Sequence, residues 1–501
     1  MPRQGMQKVK TGCITCKIRK VKCDEARPSC HRCVNTGRKC DGYIPAVAGT
    51  YSWTQLLGKN RPAPSVDSSE KRAIDFFLLE IAPVLSRSND SYFWTDMVVQ
   101  LCYQNGAVKH AVLAIGSLYR TFSSGPYGSL EHKKQDLLAT GHYTEAIRQS
   151  RRVNDRDVSL VLCLLFVCIE FLRGESEGAI EHCRHGINIL NEPLTGSHSI
   201  NERISAAFSR LCIFPFFFGA TPNTFPYLNI PSPEVLGPFQ TVNDASSALD
   251  VLLTRAIRFV RSADAHRLGV QPSSEPDIST LQARQEIESV LDHWFAAYHL
   301  LKTEKRQVSP PDYTGQLVEI RWLICKIWIG TCLAREETVY DGHMERFRTI
   351  LDLSLEAAAV FAALPSERLQ QKFSWEWGFS PLLAFVVIKC RCLRVRTAAW
   401  HLMQTLALPR ESLWDKVALA SLGRRTIEIE HELAEDIDLD QVVDHGIFPP
   451  EDKRIRDSFM YNETALRPLA GGQYAEHRKT CFLVQNPMGD GHLVRDEWLV
   501  V

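Results

Sequence analysis

No stretch of this chain is apolar for long enough to cross a membrane. The longest apolar run, Leu160 to Ile169, falls short of the ~20 residues a spanning helix needs, so no membrane partner is expected. The first residues, MPRQGMQKVK, contain no apolar signal core. The expectation is that nothing routes the chain to an oxidising compartment. Enzyme signatures are missing too. Phosphate-binding loops, nucleophile elbows and zinc-protease helices do not occur. The late Gly pair in GGQYAEHRK lacks a strand–loop–helix setting. No enzyme is expected. Net charge is also absent, with 58 Lys+Arg against 58 Asp+Glu in 501 residues. That balance hides an uneven distribution. Residues 1–45 hold eleven Lys/Arg against three Asp/Glu, so a small basic head precedes an acidic remainder. Such a head is the electrostatic footprint of a nucleic-acid-binding module.

Cysteine is what the head has in excess. Cys13, Cys16, Cys23, Cys30, Cys33 and Cys40 are spaced C-x2-C-x6-C-x6-C-x2-C-x6-C, one unit written twice at an offset of seventeen residues. Each Cys-x-x-Cys turn places two thiolates on one metal, and a later cysteine completes each set. Six sulfurs cannot give two separate zinc ions four ligands each unless two of them bridge, so the count implies a binuclear cluster. A two-Cys, two-His finger or a RING needs histidine ligands, and the nearby histidine, His31, lies inside a Cys-x-x-Cys pair. Disulfides are the other alternative. However, the remaining ten cysteines lie mainly in apolar helical stretches, such as Cys163 and Cys168 in SLVLCLLFVCIEFL, which is how free thiols serve as small core residues.

The residues between ligands break the symmetry. Lys17-Ile18-Arg19-Lys20-Val21-Lys22 is basic and has no acid, whereas its counterpart reads Val34-Asn35-Thr36-Gly37-Arg38-Lys39. Metal binding alone does not require that difference. It suggests that the first short helix meets a polyanion.

The stretch CITCKIRKVKCDEARPSCHRCVNTGRKCDGY resembles the fungal zinc binuclear-cluster transcription factors. It matches them in all six cysteine spacings, in the basic run after the second cysteine, and in Pro28 between the halves. The resemblance implies two zinc ions as cofactors. Cys13 and Cys30 would bridge both ions, Cys16 and Cys23 would complete one tetrahedron, and Cys33 and Cys40 the other. It also implies double-stranded DNA as partner. Lys20 and Arg19 would face guanines of a CGG-like half-site, whose O6 and N7 form an acceptor pair unique to that major-groove edge. Lys17, Lys22, Arg38 and Lys39 would contact phosphates. Thr15 is read as a cap for the first helix. With every zinc position filled by thiolate, no open site activates water.

Residues 12–41 are thus expected to be a zinc binuclear-cluster DNA-binding domain. Residues 44–69, rich in Pro, Gly and Ser, read as a linker. Residues 70–501 read as an all-helical regulatory domain, so the fold class is mostly α. Ile74, Phe77, Leu78 and Ile81 lie at helical spacing, but Pro83 interrupts before a coiled coil accumulates. GHYTEAI at 141–147 and GESEGAI at 174–180 echo each other, suggesting paired helical hairpins. The five-proline stretch 217–240 reads as a surface crossover. Helices are then expected over 245–265, 278–303, 314–340, 344–364, 379–407 and 411–436. The stretch EKRAIDFFLLEIAPVLS…YFW…AVKHAVLAIGSLY and the ending DEWLVV resemble the regulatory domain found in one branch of the same family.

Weaker signals take ordinary readings. Trp294, Trp322, Trp328, Trp375, Trp377 and Trp400 are expected as core or interface aromatics rather than as a ligand pocket, since pockets are few per protein. IEIEHELAEDIDLD, 427–440, is read as the solvated end of a helix rather than an acidic activation segment. Cys390 and Cys392 in KCRCLR are read as ordinary helix thiols, and His142, His293 and His299 show no ligand pattern. The combined reading is a nuclear, zinc-dependent, sequence-specific regulator of RNA polymerase II genes, with a homodimer or heterodimer partner and the transcription machinery as further contacts. The competing reading is a helical scaffold or co-regulator whose zinc module mediates protein contacts.

Overall fold

The computed structural model describes residues 12–19, 21–26, 28–43, 68–86, 92–122, 130–193, 202–229, 238–269, 275–304, 313–364, 371–435, 437–469, 473–486 and 491–501. The chain divides into two compact units, Met1–Val66 and Asp67–Val501. The linker expected at 44–69 lies almost wholly outside the described residues.

In the first unit two short helices, α1 (Ile14–Ile18) and α2 (His31–Val34), carry the second cysteine of each Cys-x-x-Cys turn. The first cysteine of each turn is the N-cap. Cys13 Sγ accepts from Cys16 N at 3.4 Å and Cys30 Sγ from Cys33 N at 3.3 Å. Thr15 sits inside α1, so the cap expected of it belongs to Cys13. Its hydroxyl donates instead to Asp41 Oδ2 at 2.8 Å.

The second unit is mostly α. Its first helix, Ser68–Phe76, continues through a π turn, Phe77–Ile81, into Ala82–Leu85. The widened turn lies where Pro83 would press on the carbonyl four residues earlier. Asn105 caps the helix Gly106–Thr121 by accepting from Ala107 N and Val108 N. That helix packs on Leu130–Ser150 and on Arg156–Arg173. The last is buried from Leu160 to Leu172, as expected of a helix apolar on every side. It ends at Gly174, whose φ of 79° supplies the left-handed cap. Gly141 lies inside a helix, so the GHYTEAI/GESEGAI echo is not a structural repeat.

The later helices run Val242–Ser262, Ile278–Glu304, Thr314–Thr331 and Met344–Ala362. The expected 314–340 helix stops at Thr331 and is followed by a 3-10 turn, Glu337–His343. The expected 379–407 helix is two, Phe379–Lys389 and Leu393–Leu406, broken at Cys390–Cys392. The expected 411–436 helix starts only at Lys416, after two-residue strands. β1 (Phe373–Ser374) pairs parallel with β2 (Arg410–Glu411), which pairs antiparallel with β3 (Trp414–Asp415). Nor is 217–240 all surface, because Phe225 is buried and its carbonyl accepts from Arg258 at 3.1 Å.

The C-terminus departs from helix altogether. β4 (Asp457–Pro468), β5 (Tyr474–Gln485) and β6 (His492–Val500) form an antiparallel sheet in that order. Phe482 and Leu499 pack from it onto Leu422 and Ile455. Gln473 to Gln485, partly read from GGQYAEHRK, is therefore the central strand and its approach.

The break at Cys390–Cys392 has an electrostatic cause. Arg391 is turned inward and fully buried. Its guanidinium reaches Glu337 Oε2 and Glu430 Oε1, both at 3.0 Å. Glu430 Oε2 takes Arg396 Nη1 at 2.7 Å, and Lys389 Nζ reaches Glu337 Oε2 at 2.9 Å. Glu430 lies in the acidic stretch expected at a solvated helix end. Instead the helix Lys416–Glu430 buries Ile427, Glu428 and Glu430, and the acids serve as counter-ions. Burial raises the Glu430 carboxyl, but Arg391 and Arg396 outweigh it and hold the group below its ordinary range. Glu430→Ala strands two buried cations and costs about 3–5 kcal/mol, measured as a lowered urea midpoint of the full chain. The carboxylate's contribution is present above its unfolded pKa and lost below it. The wild-type advantage over Glu430→Ala therefore shrinks as pH falls below about 4.

Candidate metal centre and nucleic-acid interface

The six cysteines of the head converge. The sulfurs of Cys13, Cys16, Cys23 and Cys30 lie within 4.8 Å of one another, as do those of Cys13, Cys30, Cys33 and Cys40. The two sets share Cys13 and Cys30. All sixteen cysteines of the chain are free thiols, so disulfides play no part. Four thiolates at ~2.3 Å from a tetrahedral zinc stand about 3.8 Å apart. Cys13 and Cys30 are 3.6 Å apart, Cys16 and Cys30 3.7 Å, and Cys13 and Cys33 3.8 Å. The donor set fits zinc. Burial pushes the Cys13 thiol up to about 12 and raises Cys16 and Cys30 too. Packing these thiols together is unfavourable for thiolates unless a cation compensates, and zinc binding supplies that charge.

Backbone donors repeat around the sulfurs. Cys23 Sγ accepts from Cys13 N and from Glu25 N, each at 3.4 Å. Burial raises this thiol, but those donors and the Tyr43 hydroxyl outweigh it and bring it down to about 7. Cys40, seventeen residues on, is lowered by the N–H groups of Cys30 and Gly42. Glu25 and Gly42 share the left-handed conformation, with φ of 62° and 72°. Asp24 accepts from Ala26 N, His31 N and Arg32 N at 3.1, 3.1 and 2.7 Å, which ties the loop between halves to the start of α2. Asp41 does the matching work at α1 through Thr15, whose hydroxyl accepts from Asp41 N at 2.9 Å. Tyr43 donates to Ala26 O at 2.8 Å. A Cβ on Gly12 would stand 2.8 Å from that of Cys23, so this position has no room for a side chain. Gly12, Asp24, Asp41 and Tyr43 escaped the sequence reading. The seventeen-residue offset, applied to Asp24 and Asp41 as well as to cysteines, is the signal that could have found two of them.

The basic residues are placed as follows. Lys17 is exposed on α1, Lys22 is exposed in the loop after it, and Arg38 and Lys39 are exposed after α2. Arg19, the C-cap of α1, is half-buried and donates to Thr36 Oγ1 at 3.3 Å. Thr15 Oγ1 also donates to Lys39 O at 3.3 Å, which brings the second basic pair against the first helix. Lys20 lies outside the described residues. Ile18, between these cations, is 73 % exposed.

Residues 11–46 match the fungal Zn(2)-Cys(6) binuclear cluster domain, and residues 72–214 match the fungal specific transcription factor domain. The chain carries both domains of a fungal Zn(2)-Cys(6) transcription regulator. Such regulators are not enzymes. The chain is 30 % identical over 223 residues to the aspercryptin biosynthesis cluster-specific transcription regulator atnN of Emericella nidulans, covering 38 % of this chain and 36 % of that protein. It is 27 % identical over 205 residues to the transcription regulator lscL of Purpureocillium lilacinum, covering 36 % of this chain and 48 % of that protein. To the transcriptional regulatory protein moc3 of Schizosaccharomyces pombe it is 48 % identical over 105 residues, 20 % of each chain. The chain thus spans less than half the length of each of these curated relatives.

Asp24 touches no sulfur, yet it fixes both the loop after Cys23 and the helix after Cys30. Asp24→Ala is expected to weaken zinc retention about tenfold or more, measured by competition with a chromogenic chelator. Thr36→Ala, which removes the Arg19 contact and the hydroxyl's bonds to the carbonyls of Arg32 and Cys33 but no contact with a sulfur, leaves retention near wild type.

Proposed function

We propose that the chain is a zinc-dependent, sequence-specific DNA-binding regulator of RNA polymerase II genes. Residues 12–41 form its reading head, residues 44–69 a linker, and residues 70–501 its regulatory body. Two zinc ions occupy the head, bridged by Cys13 and Cys30. Cys16 and Cys23 complete one site, and Cys33 and Cys40 the other. The observation that carries this reading is the pair of four-sulfur sets sharing two cysteines, at spacings that suit tetrahedral zinc. A cluster so closed has no catalytic position and serves as scaffold.

The scaffold presents cations. Lys17, Lys22, Arg38 and Lys39 contact phosphates, while Lys20 and Arg19 read guanines of a CGG-like half-site in the major groove. Arg19's contact with Thr36 holds it part-way between these roles, which makes Lys20 the principal reader. The relative named as a cluster-specific regulator favours a pathway or gene cluster as target. The body engages the transcription machinery and a homodimer or heterodimer partner, and the chain acts in the nucleus.

The purified chain is expected to hold two zinc equivalents by elemental analysis and to bind a CGG duplex with steep salt dependence. One equivalent, or no DNA binding when fully metallated, overturns the reading in favour of a protein-contact module. Lys20→Ala should cost about 1–3 kcal/mol on the best site and relax specificity at one base. Arg38→Ala should weaken all sequences alike and lower the salt slope by about 1. A uniform loss for Lys20→Ala demotes that residue to a phosphate contact.

A further inference from the structure

Rings in the interior of a folded body normally bury their faces against neighbours. In the second unit Phe217, Trp377 and Phe385 are only half-buried, although the Arg321 guanidinium covers one face of Trp377 at 5.0 Å. They line a cavity of 670 Å³ together with Trp328 and Trp414. The sheet closes one side of it through Met460 on β4 and Arg478 on β5.

The rings form a connected wall. Phe217 stands 5.6 Å from Trp328, 5.7 Å from Trp414 and 6.4 Å from Trp377, and Trp328 stands 6.0 Å from Phe385. Trp377 and Trp414 lie nearly parallel, at 26°. The volume is that of a drug-sized ligand site.

Charge decides the ligand's chemistry. Most of the ionic groups lining the cavity are engaged within the protein. Asp264 takes Arg261 at 3.0 Å and Arg267 at 3.2 Å, Asp457 takes Arg267 at 3.1 Å, and Lys389 reaches Glu337. Asp415 takes Arg410 at 3.1 Å. Glu177 is exposed at the rim. Arg478 differs from these groups. It has no acidic partner among the described residues, and its Nε is shielded from water without a hydrogen-bond acceptor.

We infer that this cavity is a binding site for a planar, largely apolar aromatic compound bearing an anionic or strongly accepting group, with the rings holding its body and Arg478 its polar end. The larger cavity, of 1190 Å³, makes a weaker case. Its buried cation Arg258 is already occupied by the carbonyls of Phe225 and Pro222 and by the ring of Tyr227 at 3.9 Å. The inference does not depend on what the head binds.

A matched pair of dyes tests it on the full zinc-loaded chain. N-phenyl-naphthylamine is neutral, and anilinonaphthalene sulfonate adds an anion to the same ring body. Both are expected to bind one per chain and to quench tryptophan emission by energy transfer, with the sulfonate tighter. Arg478→Met should weaken the sulfonate about tenfold and leave the neutral dye unchanged. Leu419→Trp, which fills the cavity from a half-buried position, should weaken both about tenfold at an unchanged melting temperature. Val251→Trp, in the larger cavity, should change neither. If Leu419→Trp lowers the melting temperature, Trp377→Leu replaces it and should weaken both dyes. Binding of several dyes per chain, undiminished binding in both ring-wall variants, loss that follows Val251→Trp, or a sulfonate affinity indifferent to Arg478→Met overturns the proposal.

Discussion

Sulfur takes the place of a hydrophobic core in the first unit. Its buried cluster is Cys13, Cys16, Cys23, Cys30 and Cys33, with Cys40 and Tyr43 packed against it. So short a segment cannot bury enough apolar surface to offset the entropy of ordering its chain. Metal–thiolate bonds supply the missing free energy, on the order of 10–16 kcal/mol for structural zinc. The rest of the unit is arranged around that constraint. Each helix begins at a cysteine that caps it, and the loops turn where a backbone N–H can point at a sulfur.

The constraint is twofold, but the surface is not. At the seventeen-residue offset Cys23 matches Cys40, Asp24 matches Asp41, and left-handed Glu25 matches left-handed Gly42. These are the positions that face sulfur or hold a helix start. Positions that face outward have diverged, with Lys17 against Val34 and Arg19 against Thr36. Arg19 and Thr36 then meet across the offset, so one asymmetric pair also links the halves. The metal scaffold keeps its symmetry, and the cations are concentrated on one half of it.

The second unit meets a different demand. Its core is ample, and it buries charge as well as apolar surface. Arg391 and Arg396 are fully buried and depend on Glu430, with Glu337 shared between Arg391 and Lys389. Such pairs add little stability over apolar packing, but removing one partner is costly. They join the helix break at Cys390–Cys392, the end of the helix Lys416–Glu430 and the approach to the sheet, since Glu430 also accepts from Ile455 N at 2.8 Å. The half-buried rings lie beside this ionic zone, where helices and sheet meet without filling the space between them.

The amino-acid sequence alone determined the clustering of six cysteines at repeated spacing, the asymmetric charge and the helical character of most of the body. These follow from residue type at fixed short spacing, which a single strand of text displays. The start of the acidic stretch 427–440 was misread because alternating acid and apolar residues look the same whether the acids face water or a buried arginine. The C-terminal sheet was missed because its pairing joins segments such as Phe459 and Cys481, and local periodicity does not register such partners. The Arg391 contacts, the roles of Asp24 and Asp41, and the space among Phe217, Trp377 and Phe385 were decided by tertiary structure alone. Each depends on groups distant in the chain being brought within a few ångströms, and on what else is present to pair with them.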